Sequence, residues 1–154
     1  GAALFDSMTV EENVGLPLVE SNTKFSKSEI KKIVEEKLSL VALEEILNLK
    51  PSELSGGMKK RVALARALVT DPSYILYDEP TTGLDPMTAK GIIELIVEIQ
   101  EKYNTTSLII SHDMNCVRTA SDRVVVLYDG KCYASETYDQ LIKNQDPAVK
   151  QFFE

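Results

Sequence analysis

Two short apolar runs, each ending on chemically loaded residues, constrain this chain most. Tyr74-Ile75-Leu76-Tyr77 leads into Asp78-Glu79-Pro80, and Leu108-Ile109-Ile110-Ser111 leads into His112-Asp113. Apolar runs of this length between turn signals read as strands buried in a parallel sheet. Between them, Met87 to Tyr103 carries Ile92, Ile93, Leu95, Ile96 and Ile99 at helical spacing, which predicts an amphipathic helix with those five on the core side. Strand, helix, strand is the crossover unit of an α/β fold with a mostly parallel sheet. Ligands of such sheets bind in the crevice outside the C-terminal strand ends. Asp78, Glu79 and His112 are therefore expected along one edge of the sheet.

The flanking segments fill in the architecture. Thr9-Val10-Glu11-Glu12 and Ser26-Lys27-Ser28-Glu29 are capping boxes. The first predicts a short helix from Val10 to about Gly15, stopped by Pro17. The second opens a helix with Ile30, Ile33, Val34, Lys37 and Leu38 at helical spacing. Val41 to Leu47 reads as another short helical segment. Met58 to about Val69 reads as a helix with Val62, Ala63, Ala65 and Leu68 inward and its basic residues outside. After His112 come a helix from about Asn115 to Ala120 and strands at Arg123 to Tyr128 and Cys132 to Glu136. Asp129-Gly130 joins the two strands as a hairpin turn. Helices at Tyr138 to Lys143 and Pro147 to Phe153 end the chain. Since everything before Ser73 reads as helix and loop, residues 1–67 are expected to form a helical lobe and 68–154 an α/β core.

Composition narrows the function. The 154 residues suit about one domain, and 44% apolar with 27% charged residues is ordinary globular usage. A net charge of −7 offers no electrostatic footprint for nucleic acid. The apolar runs are strand-length rather than membrane-spanning, and no signal peptide is legible. The start at Gly1, without Met, reads as that of a fragment. Cys116 and Cys132 lack metal-binding spacing and read as a reduced, incidental pair.

Ser55-Gly56-Gly57 adds a second kind of chemistry. Ser55 is a good N-cap whose hydroxyl can also reach a ligand. The glycines allow backbone to approach a phosphate without a Cβ clash. The helix start supplies free N–H groups and a positive dipole end. A plain helix cap would look the same, but Arg61, Arg66 and the acidic strand end strengthen the phosphate reading. Asp78 can hold Mg²⁺ through water. Glu79 can polarise an attacking water. His112 can donate to a terminal phosphate oxygen, although a lone histidine is more often structural. Asp85, in Gly83-Leu84-Asp85-Pro86, can touch a partner subunit, cap the next helix, or do both.

These four segments resemble the motifs of ABC ATPases. Leu54-Ser55-Gly56-Gly57 is similar to the signature motif, and Tyr74 to Glu79 to Walker B with its catalytic glutamate. Gly83-Leu84-Asp85 resembles the D-loop, and His112 the switch histidine. The resemblance implies a P-loop NTPase (RecA-like) core, here partial, with a helical subdomain. It also implies ATP and Mg²⁺ as ligands and a head-to-tail dimer of ATPase subunits. Ser55, Gly56 and Gly57 would complete the ATP site of the opposite subunit. Gly1 to Val10, Asn13 to Leu18, Met58 and Asp146 to Phe153 are similar to ATPase subunits of Mla/MCE-type lipid transporters. That implies an integral-membrane permease, an MCE-domain lipid-binding protein, and a cytoplasmic place on the inner face of the membrane. An importer for amino acids or another small solute, and a soluble non-transport ABC ATPase, are the alternatives. Met58 departs from the commoner Gln of the signature, and a thioether cannot donate a hydrogen bond.

No G-x4-G-K-[S/T] loop occurs in these residues. Without its lysine and backbone cradle, phosphate binding loses its main support. The chain alone is expected to bind ATP poorly and hydrolyse essentially none. In the family, the strand leading to that loop lies between the strand before His112 and the one at Arg123 to Tyr128. Its absence is expected to leave a slot with unpaired edges and bare apolar faces, closed by self-association, segment swapping or collapse.

Overall fold

The computed structural model describes residues 3–153. α1 (Val10–Val19) and α2 (Lys27–Leu40) both begin at complete capping boxes. A 3₁₀ turn (Pro51–Glu53) leads to α3 (Gly56–Leu68), capped by Ser55. β1 (Tyr74–Asp78), α4 (Pro86–Tyr103), β2 (Thr106–Ile110) and α5 (Met114–Ala120) form the crossover region. A hairpin of β3 (Val124–Tyr128) and β4 (Lys131–Glu136) follows, then two short helices, α6 (Tyr138–Leu141) and α7 (Pro147–Lys150).

Three local expectations change. α1 runs through Pro17 to Val19. The ring removes one backbone donor, but buried Leu18 holds the last turn against the core. Residues 41–47 are not helical. Ala42 and Glu45 have φ of 53° and 58°, in the left-handed region. The carbonyls of Leu47 and Leu49 accept instead from Glu11 and Val10 N–H at 3.0 and 2.8 Å. They satisfy donors that the first turn of α1 leaves open. On α3, Leu64 is buried with Val62, Ala65 and Leu68, while Ala63 is only half-buried.

β1 and β2 pair in parallel, with Tyr74 opposite Thr106 and Asp78 opposite Ile110. β3 and β4 pair antiparallel across Asp129-Gly130, whose φ values of 48° and 72° make the two-residue turn that a right-twisted hairpin prefers. The single, mostly parallel sheet expected from sequence is thus two separate two-stranded sheets. Neither strand of the parallel pair is buried on both faces. Ile75 and Tyr77 face the core, while Leu76 is 74% and Leu108 59% exposed. Among the described residues no third strand pairs with either edge of β1–β2.

Two cores result. The larger gathers Val10, Val14, Val34, Val62, Ile75, Ile96 and Cys116 and draws on residues from both sides of position 67. The smaller holds Val126, Leu141 and Val149 beneath the hairpin. All five residues expected on the core side of α4 are buried. Asn13, fully buried, joins the segment before α1 to it, accepting from Phe5 N–H at 2.8 Å and donating to Phe5 and Thr9 carbonyls at 3.1 and 2.9 Å.

Candidate functional site

The ends of β1 and β2 bring Glu79 and His112 together. Glu79 N–H donates to Ile110 O at 2.9 Å, carrying the parallel ladder one residue past β1. The backbone then turns through φ of 49° at Glu79, an uncommon conformation for a residue with a Cβ. This turn aims the carboxylate at His112, whose Nδ1 lies 2.9 Å from Oε1. Thr82 Oγ1 donates to Oε2 at 2.8 Å, and Lys60 Nζ donates to the Glu79 main-chain oxygen at 2.7 Å.

Electrostatics follow the geometry. The hydrogen bond from His112, joined by that from Thr82, holds the Glu79 carboxyl below its ordinary value of 4.5. The same bond and charge raise the His112 imidazole above 6.5. A carboxylate only accepts, so Nδ1 carries the proton in this contact. Nε2 then donates to another group only when the ring is imidazolium, and the neighbouring carboxylate widens the pH range of that form. Asp78 ends β1 exposed to solvent. Among the described residues no cluster of three or more His, Cys, Asp or Glu could hold a metal. A groove of about 690 Å³ opens beside these groups, lined in part by Thr82, Leu84, Lys90, His112 and Asp113.

Ser55, Gly56, Gly57 and Asp85 form a second cluster. Ser55 Oγ accepts from Met58 N–H at 3.2 Å as the N-cap of α3, leaving its own proton free to donate. Gly57 is buried, and a Cβ there would stand 2.5 Å from Thr88 Cγ2. At Gly56 a Cβ would stand 3.4 Å from Leu84 Cδ2. Close packing against Thr88 of α4 therefore favours glycine at position 57 even before any ligand is considered. Asp85 caps α4, its Oδ1 accepting from Met87 and Thr88 N–H at 3.1 and 3.0 Å. Thr88 Oγ1 also bonds the Asp85 carboxylate, and this contact leads the causes that hold it below its ordinary value. Thr88 thus touches both the glycine turn and Asp85.

Sequence reasoning missed Lys60, Thr82 and Thr88. It placed the basic residues of α3 outside, yet Lys60 and Arg61 are half-buried and bonded to main-chain oxygens, Arg61 to that of Val41 at 2.7 Å. The run Lys59-Lys60-Arg61 directly after the glycine turn was the available signal.

Comparison with known proteins places the whole chain. The chain is 42% identical over 150 residues to the intermembrane phospholipid transport system ATP-binding protein MlaF of Haemophilus influenzae, covering 97% of this chain and 56% of that protein. It is 43% identical over 150 residues to the methionine import ATP-binding protein MetN of Haemophilus ducreyi, covering 97% of this chain and 43% of that one. The chain thus spans about half the length of the curated relatives it matches. A dimeric structure of the ATP-binding cassette MJ0796 in a post-hydrolysis state, bound to ADP and Pi, superposes with a TM-score of 0.78 at 38% identity. That match covers 88% of this chain and 59% of the other, and the shared fold is that of the ABC cassette. The family model described as ABC transporter matches residues 2–82, more than half of the chain, and the chain belongs to the ABC transporter family.

Proposed function

We propose that this chain carries the hydrolytic strand ends and signature turn of an ATPase subunit that powers a membrane transporter. The observation that carries the reading is the Glu79–His112 contact of 2.9 Å at the C-terminal ends of two parallel strands. Each Glu79 oxygen has one protein partner, so a second lone pair remains to accept from a water and raise its nucleophilicity. His112, as imidazolium, is held by Oε1 through Nδ1 and offers Nε2–H to a terminal phosphate oxygen. Asp78 would hold Mg²⁺ through water. Bound Mg²⁺ supplies charge neutralisation on the phosphate oxygens. Ser55, Gly56 and Gly57 would present the α3 N-terminus to a phosphate chain held by a second subunit, with Asp85 near the same contact. Residues 1–67 would act as the helical lobe and 68–154 as the partial core.

We further propose that the cargo is a phospholipid or similar lipid, moved with a permease and an MCE-type lipid-binding partner, at the cytoplasmic face of the membrane. The resemblance of Met58, Asn13 to Leu18 and Asp146 to Phe153 to Mla/MCE-type ATPase subunits supports this, as does the 42% identity to MlaF. An importer of amino acids is the second reading, supported by the 43% identity to MetN.

ATP turnover tests the reading. We compare this chain with the same chain joined upstream to a segment carrying a G-x4-G-K-[S/T] loop. Only the longer chain is expected to hydrolyse ATP, and Glu79→Gln is expected to lower its kcat by roughly 100-fold or more. Turnover by the shorter chain would mean that other residues bind the phosphates, and the site assignment would fall.

A further inference from the structure

The most constrained residue of the site is Glu79. An L-residue rests at φ of 49° only where its surroundings over-determine it. Four hydrogen bonds converge on it. Its N–H donates to Ile110 O, its two carboxylate oxygens meet His112 and Thr82, and its main-chain oxygen accepts from Lys60. Three of these partners come from the strand ends and the loop that follows. Lys60 alone comes from α3, the helix that begins at the Ser55-Gly56-Gly57 turn.

The bond from Lys60 is also the one that addresses the unusual turn. Reversal of φ at Glu79 carries the chain away from β2 into Pro80, so the Glu79 carbonyl leaves the ladder. A half-buried carbonyl without a partner is costly. Lys60 Nζ meets it at 2.7 Å in a charge-assisted bond, stronger than a neutral one. The neighbouring cation Arg61 is held elsewhere, at Val41 O, so it does not duplicate this contact.

We propose that Lys60 is a positioning residue. By holding the Glu79 main-chain oxygen it fixes the left-handed turn that aims the carboxylate at His112, and it couples the Ser55-Gly56-Gly57 helix to that carboxylate. Lys60 stands five residues after Ser55, little more than one helical turn from the glycines. Displacement of the α3 N-terminus by a ligand would therefore reach Glu79 through one side chain. The functional meaning rests on the reading of Glu79 as the group that polarises water; the positioning itself does not.

Nuclear magnetic resonance on this chain tests the positioning without any turnover. A residue at positive φ has its amide and α protons unusually close, which gives a strong intraresidue NOE. Parent Glu79 is expected to give that strong signal. Lys60→Met is expected to weaken it, while Asp129, at φ of 48° in the distant hairpin, keeps its own. Lys60→Arg, which retains a charged donor, is expected to restore the Glu79 signal. An unchanged Glu79 signal in Lys60→Met, or equal losses at Glu79 and Asp129, would overturn the proposal. If the methionine variant does not fold, Lys60→Gln is read in the same way, its polar but shorter side chain falling short of the carbonyl. A weakened signal together with no effect of Glu79→Gln on turnover of the longer chain would leave the positioning intact and remove the water-polarising role.

Discussion

The helices α1 to α3 and the strand pair β1–β2 meet one core but finish differently. Val10, Val14, Val34 and Val62 are completely buried, and each of the three helices has its apolar stripe covered by the others or by α4. The strand pair buries Ile75 and Tyr77 on one face and leaves Tyr74, Leu76, Leu108 and Ile110 open on the other. A helix satisfies its backbone internally and needs cover on one side only. A strand needs partners at both edges and, in a parallel sheet, cover on both faces. A chain without the neighbouring strand can therefore complete its helices and still leave its sheet unfinished.

That contrast can be broken by truncation at two positions. Ile96 of α4 is fully buried in the larger core, so Ile96→Ala is expected to cost about 2–5 kcal/mol. Leu76→Ala, on the open face, is expected to change stability by no more than about 0.5 kcal/mol. Urea denaturation of both variants reads the difference. Equal losses would mean that the outer strand face is covered in solution, as self-association or segment swapping would cover it.

The glycine turn gives a sharper and somewhat smaller effect. Gly57→Ala would drive a methyl against Thr88 Cγ2, and is expected to destabilise by about 1–3 kcal/mol. Thr88→Ser removes that methyl but keeps the hydroxyl that bonds Asp85, so the double variant should recover most of the loss. Failure of this rescue in thermal melts would show that the Thr88 methyl is not what excludes a side chain at Gly57.

The smallest effect belongs to the exposed Glu79–His112 pair. His112 is raised above 6.5, so its contribution is complete below that value and fades as pH rises through the raised one. Glu79 is lowered below 4.5, so its contribution is complete above that value and fades as pH falls through the lowered one. Between about 4.5 and 6.5 the pair contributes fully. Melting temperatures of the parent minus those of Glu79→Gln should therefore peak in that window. A flat difference would show that the contact adds nothing to stability.

Much of this was legible in the chain itself. Both capping boxes, the five core residues of α4, the Asp129-Gly130 hairpin and the strand-end placement of Asp78, Glu79 and His112 follow from local periodicity and turn chemistry, which act over a few residues. The passage of α1 through Pro17 and the loss of helix at residues 41–47 did not. Both depend on contacts with distant segments, Leu18 in the core and the Leu47 and Leu49 carbonyls on α1. The need for Gly57 to admit Thr88, and the reach of Lys60 to Glu79, join residues 31 and 19 positions apart. Sequence by itself determined the family and most element types and named the candidate site residues, because motif spacing and hydrophobic period are written along one dimension. Tertiary structure alone decided which face of the strands stayed open, how Glu79 is turned and what holds it there. Those outcomes depend on which distant groups come within about 3 Å of one another, the range of a hydrogen bond.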